Sequence, residues 1–279
     1  MKNVKVVSFL LTFFQCAAVI IIPITISFTV PGIKRGFICG DPSLSKPQLP
    51  DTVTNWMLGV WAISPIFILL MCEIIFNRKK CDTNLACLNL SWRNTSYLFH
   101  RYVINICLMH LVLFTAKYFT GSHRPHFFET CKPDVLNECI VGTYVQNYKC
   151  TNTQVPFYKI LDASQSFFSG HAATCFYSCT FIAWYLQRRV KPTNIFCLPL
   201  IQSLLLSLAY FGSISRVFDH RHHSIDVFVG GLVGTLTTIH AWMHQCKNHT
   251  FDVETLPTIQ SRKINPLPNN SNITTITSE

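Results

Sequence analysis

Charge is what this 279-residue sequence has least of: Asp, Glu, Lys and Arg together make up 13% of it. A soluble globular domain carries roughly 25%, so a water-facing surface over the whole chain is excluded. Acidic residues are the scarcer sign, 13 against 23 Lys and Arg, giving a net charge of +10. No nucleic-acid motif or aromatic-interleaved basic surface accompanies that charge, which excludes nucleic acid as the expected partner. Long repeats are missing, as is a KDEL-type retrieval signal, and no small-residue cleavage site closely follows the first apolar run. That first run therefore reads as a retained span and not as a leader.

What is present is apolar residue, 49% of the chain, with a mean hydropathy of +0.30. Six stretches approach the ~20 residues that a bilayer crossing needs. They run over Val4–Val30, Trp56–Phe76, Tyr97–Phe119, Phe167–Leu186, Ile195–Ile214 and Ile225–Met243. The expected fold class is all-α, an integral-membrane bundle of six transmembrane helices over residues 1–246. Residues 247–279, rich in Asn, Thr, Ser and Pro, are expected to form a disordered cytoplasmic tail. Pro23 and Pro65 are candidate kinks.

Counting crossings puts the N-terminus, the 77–96 and 187–194 loops and the tail on one side. Counting Arg101 at the same end of the third stretch, thirteen of the 23 Lys and Arg lie there, including "RKK" and "RRVK". The positive-inside rule makes this side cytoplasmic. The sequons at Asn89, Asn94, Asn248, Asn269 and Asn272 all fall on it and are read as chance. Cys39, Cys131, Cys139 and Cys150 fall on the other side, three of them in the long loop of about 127–165. An even number in an oxidising space predicts one or two disulfides, with three pairings open if both form. Glu73 in the second stretch is expected to pair with a basic neighbour, and Asn105 and His110 to make interhelical hydrogen bonds.

The same crossings bring three polar segments to the outer surface. "KYFTGSHRP" (117–125) follows the third stretch, "SFFSGHAAT" (166–174) opens the fourth, and "SRVFDHRHHSID" (215–226) links the fifth to the sixth. Ionisable groups at a membrane are costly unless they line a site. Lys117, Arg124 and Arg216 are three cations suited to phosphate oxygens. Ser169 and Gly170 open a helix whose free N–H groups suit an anion. His222 and Asp226, four apart, would share a helix face, the carboxylate fixing the ring tautomer of a nucleophilic imidazole. His171 is placed to protonate a leaving alkoxide. The competing reading is a zinc site made from Asp219, His220, His222, His223 and Asp226. It lacks the H-x-x-x-H or H-E-x-x-H spacing of a helical zinc site, so no metal and no cofactor are expected.

These residues resemble the three motifs of the type 2 phosphatidic acid phosphatase superfamily, KxxxxxxRP, PSGH and SRxxxxxHxxxD, in the form found in the animal lipid phosphate phosphatases. Chance alone matches the third motif in such a chain with a probability on the order of 10⁻³. The outer segment "RGFICGD" adds to the likeness, which covers about residues 1–245. One departure is Phe168, where the broader motif has proline; aromatic residues occur there among the lipid phosphatases. The resemblance implies phosphate-monoester hydrolysis of lipids without metal, through a phosphohistidine on His222 oriented by Asp226. His171 would be the general acid, with Lys117, Arg124, Ser169, Gly170 and Arg216 holding phosphate. It implies phosphorylated lipids in the bilayer as substrates and leaves a homo-oligomer open. Plasma membrane with an outer active site is the expected location, ER or Golgi the alternative. A phosphotransferase or sugar-phosphate phosphatase of the same superfamily, and a non-catalytic anion channel or signalling partner, are the other readings.

Overall fold

Residues 32–78, 83–190 and 195–246 are described in the computed structural model, together with the helical positions 18, 21, 22, 25 and 26. The first expected span otherwise lies outside the described residues, as does the 247–279 tail. Five long helices dominate: α1 (Asn55–Asn77), α2 (Asn84–Thr120), α5 (Gly170–Arg189), α6 (Cys197–Phe218) and α7 (Ser224–His240). Two short ones, α3 (Phe127–Cys131) and α4 (Phe157–Ala163), lie in the long connection between α2 and α5. A π-helical turn, Ala241–Gln245, extends α7. The all-α expectation misses one small feature, an antiparallel pair of two-residue strands, β1 (Phe37–Ile38) and β2 (Tyr144–Val145), in which Phe37 faces Val145.

Among the described residues, four helices are long and apolar enough to cross a membrane: α1, α2, α6, and α7 with its π turn. Helix α5 coincides with an expected span but is not apolar enough to join them. It sits centrally, against α6, α7 and α1, and Ala172, Ala173, Thr174, Cys175, Tyr177, Ser178, Phe181 and Tyr185 are all buried. A helix surrounded by helices can carry small and hydroxyl residues where a lipid-facing one needs aliphatic ones. Helix α2 begins 13 residues before its expected span. Thr83 caps it, accepting from the Ala86 N–H at 3.2 Å. Its first turns bury Ser91 and Asn94 against a polar network that a hydropathy reading passes over. There Glu73 accepts from Asn94 Nδ2 (2.9 Å), the Tyr185 hydroxyl (2.7 Å) and Arg189 Nε (2.8 Å). The pairing expected of Glu73 is thus made, and Asn94 is a buried donor.

At the opposite end the segments 32–54 and 121–169 fold into a cap. Its core is aromatic: Phe37 lies 5.0 Å from Phe128 and 5.1 Å from Tyr148 between ring centroids. Both disulfides form, Cys39–Cys139 and Cys131–Cys150, which fixes the pairing the sequence leaves open. Within the bundle, Asn105 donates to Gln245 Oε1 at 2.9 Å and faces His240 at 3.1 Å. His110 spans to Thr174 at 3.5 Å.

Glycine lets α5 and α7 approach closely. A Cβ on Gly234 would stand 2.3 Å from the Ala173 carbonyl oxygen, and one on Gly230 2.5 Å from that of Ser169. Backbones this near leave no room for a methyl group. Gly234→Ala is expected to lower stability by about 1–3 kcal/mol. Gly59→Ala in α1, where nothing lies within 4 Å of the added carbon, is expected to cost nothing. Thermal unfolding of both purified variants in detergent checks the contrast.

Candidate functional site

All three polar segments end up under the cap. Lys117 lies in the last turn of α2, and its ammonium donates to the Gln165 carbonyl oxygen at 2.5 Å. Helix α2 then stops at Gly121, whose φ of 55° is a left-handed conformation that glycine adopts without cost. The chain turns through Ser122–Pro125, and Arg124 is held by its backbone N–H on the Ala163 oxygen (2.8 Å) and by its guanidinium on Asp162 (2.5 Å). Ser169 caps α5, accepting weakly from Ala172 N at 3.4 Å. Its own N–H donates to the Asp226 backbone oxygen at 3.0 Å, tying the start of α5 to the start of α7. Gly170 packs on α2, where a Cβ would meet Leu113 at 2.9 Å. Arg216, in the last turn of α6, bonds Asp51 at 3.0 Å and also Asp219.

The expected His222–Asp226 pair is present, but not as two residues on one helix face. Helix α7 begins at Ser224 with His223 as its cap, so His222 belongs to the preceding turn. Asp226 accepts from the His223 N–H at 3.0 Å, the acidic half of a capping box. His222 Nδ1 and Asp226 Oδ2 are 3.8 Å apart, beyond hydrogen-bond reach. Ser166 fills the gap: its hydroxyl donates to Asp226 Oδ2 at 2.5 Å and lies 3.3 Å from His222 Nδ1. Burial holds the His222 imidazole well below its ordinary pKa, opposed by the Asp226 carboxylate and reinforced by Arg124 and Lys117. The ring is thus neutral at physiological pH. Two nitrogens of these residues, Arg124 Nε and His171 Nε2, are buried with no hydrogen-bond partner among the described residues, as are Arg101 Nε, His123 Nδ1, His126 Nε2 and Trp242 Nε1 elsewhere; the His171 ring nonetheless meets the Val53 backbone.

Other members of the histidine-rich stretch are engaged separately. His220 Nδ1 lies 3.0 Å from the Pro47 oxygen and His223 Nε2 3.1 Å from that of His123. Asp219 accepts from Thr52 N (2.9 Å) and Thr52 Oγ1 (2.7 Å). His123 and His126 are buried in the cap, and burial pushes both down to about 4. His123 stacks on Phe127 at 3.9 Å. The sequence reading missed Ser166, Asp51 and Asp162. Ser166 adjoins the second motif, which was a usable signal. Asp51 lies 165 residues from its partner Arg216, and no local pattern marks it.

The model of the PAP2 superfamily matches residues 97–250, which hold all three segments. The chain belongs to this superfamily. Phospholipid phosphatase 2 of Bos taurus is 31% identical over 79% of this chain and 77% of its own length. Phospholipid phosphatase 1 of Mus musculus is 30% identical over 74% of the chain and 73% of its own length. A longer relative from Drosophila melanogaster is 30% identical over 74% of the chain, which spans 60% of that protein. No solved structure matches the chain. Removing the hydroxyl that bridges His222 and Asp226, by Ser166→Ala, is expected to lower kcat for phosphate release about tenfold with KM within about twofold. Steady-state kinetics of the purified variant gives both values.

Proposed function

We propose that the chain is an integral-membrane lipid phosphate phosphatase that hydrolyses phosphatidate, lysophosphatidate, sphingosine 1-phosphate and ceramide 1-phosphate at the capped end of its bundle. Family membership supports the hydrolase class, and the phospholipid phosphatases among its relatives support a lipid substrate. The observation that carries the reading is the gathering of Lys117, Arg124, Arg216, His171 and the His222–Ser166–Asp226 group around the start of α5. Phosphate oxygens would be held by the three cations and by the N–H groups opening α5 at Ser169 and Gly170.

In the first step Nε2 of His222 attacks phosphorus, and the bond from phosphorus to the lipid oxygen breaks. His171 gives its proton to the departing alkoxide. Water then attacks the phosphohistidine, losing its proton to His171, and inorganic phosphate leaves with His222 restored. The two unpartnered nitrogens fit these roles, Arg124 Nε on a phosphate oxygen and His171 Nε2 on the leaving oxygen. Charge on the phosphoryl group is met by guanidinium and ammonium where other phosphoryl-transfer sites use a metal ion. Two disulfides in the cap support an extracellular or luminal face for this end.

Purified protein is expected to release phosphate from lipid phosphates in the presence of EDTA and to be inhibited by vanadate. His222→Ala should lose at least about a thousandfold in kcat, and turnover by that variant at the wild-type rate sinks the mechanism. The attacking ring must be neutral, and its pKa is depressed, so the neutral form persists as pH falls through the ordinary histidine value of about 6.5. The acid limb of kcat/KM attributable to His222 is therefore expected below 6.5, read from a pH profile between about 4 and 8. A limb at or above that value assigns the nucleophile wrongly.

A further inference from the structure

Segment 44–53 runs from the cap to α1 across the last motif, and none of its residues has a role so far. Its first half is tied to the cap: Lys46 N donates to the Pro125 oxygen (2.9 Å) and Gln48 N to Glu129 (2.5 Å). Its second half lies on the loop after α6. The Leu49 oxygen accepts from Arg221 (3.3 Å), and Thr52 binds Asp219. Between these, Asp51 Oδ1 accepts from Arg216 NH1 at 3.0 Å and from Arg221 Nε at 2.9 Å.

The two carboxylates on Arg216 differ in kind. Asp219 is buried and clamped by the backbone and hydroxyl of Thr52, so it aims the guanidinium and stays in place. Asp51 keeps 31% of its side chain exposed while Arg216 is 2% exposed. A phosphate that reaches Arg216 therefore meets, on the same guanidinium, a partly exposed carboxylate of the same sign as itself.

We propose that Asp51 is a release residue, whose carboxylate competes with inorganic phosphate for Arg216 and Arg221 and so keeps product from being retained. This rests on the phosphatase reading above. It deepens that reading by assigning a positioning residue outside the three motifs. Three cations and a helix N-terminus hold a phosphate dianion tightly, and a site that must turn over gains from a counter-charge that takes the guanidinium back. A carboxylate that merely aimed Arg216 would act in the opposite direction, since its loss would loosen the phosphate contact.

The test is the inhibition constant of inorganic phosphate against hydrolysis of a lipid phosphate by the purified full chain in micelles. Asp51→Asn keeps shape and acceptor while removing charge, and is expected to lower that constant about tenfold and to lower KM with it. Asp51→Ser, too short to bridge, should move it the same way, and Asp51→Glu should stay within about twofold of wild type. An inhibition constant that is unchanged or raised in Asp51→Asn and Asp51→Ser overturns the proposal. If the wild-type chain neither hydrolyses lipid phosphate nor is inhibited by phosphate, the phosphatase reading falls too. If it does both and the Asp51 variants match it, only the role of Asp51 falls.

Discussion

Helices in a lipid environment gain little from burying apolar side chains against one another, because lipid tails are as apolar as leucine. Close van der Waals contact between backbones has to supply the difference, and in this chain it does so between α5 and α7. Gly230 and Gly234 bring the two helices to a separation at which a single added carbon collides with a carbonyl oxygen. That approach places the first turn of α7 beside the first turn of α5, where the Ser169 N–H reaches the Asp226 carbonyl oxygen at 3.0 Å. The helix opening with Ser169, Gly170 and His171 and the helix carrying Asp226 are thereby registered to within one hydrogen bond. A slip of one turn along either axis, about 5.4 Å, would separate every pair of groups in the site.

The cap adds a second constraint, one of charge. Asp51 comes from the segment before α1, Asp162 from α4 and Asp219 from the loop after α6. Each carboxylate meets a guanidinium of the first or third polar cluster. The cap is stiffened by two disulfides and by aromatic packing around Phe37, Phe127, Phe128 and Tyr148. Its carboxylates are thus delivered by a preformed scaffold, and Lys117, Arg124 and Arg216 need not wait for substrate to be oriented. Preorganisation of this kind is what electrostatic catalysis needs, since dipoles and charges already in place need not reorganise as the reaction proceeds.

Local pattern was enough to mark the residues that the fold gathers under the cap but not to say how they are joined. Lys117, Arg124, Ser169, Gly170, His171, Arg216, His222 and Asp226 were legible because each sits at a helix end beside an apolar run, where an isolated polar residue stands out. Helix ends were less legible where polarity and helicity coincide: α2 starts at Asn84 because Ser91 and Asn94 bury their side chains on Glu73 and Asn77, and hydropathy scores such residues as loop. The four-residue step from His222 to Asp226 suggested a helical face, yet the helix starts two residues after His222 and a serine from another segment bridges the pair. Spacing can report that two groups are near. It does not report what stands between them.

Buried charge is handled in two ways in one bundle. Away from the cap, Glu73 is fully buried and its oxygens accept from Asn77, Asn94, Tyr185 and Arg189, while Arg189 also reaches Asn77 Oδ1 at 2.7 Å. Breaking such a network by removing one member leaves an uncompensated buried charge, so its natural role is to fix α1, α2 and α5 together. Under the cap, Arg124 and Arg216 meet two partly exposed carboxylates, Asp162 and Asp51, and the buried Asp219, while Arg124 Nε and His171 Nε2 have no hydrogen-bond partner among the described residues. Leaving a buried donor or acceptor unmatched costs about 1–3 kcal/mol each. Under the phosphatase reading proposed above, a phosphate ester would match Arg124 Nε and His171 Nε2, a guanidinium N–H and an imidazole in the first turn of α5.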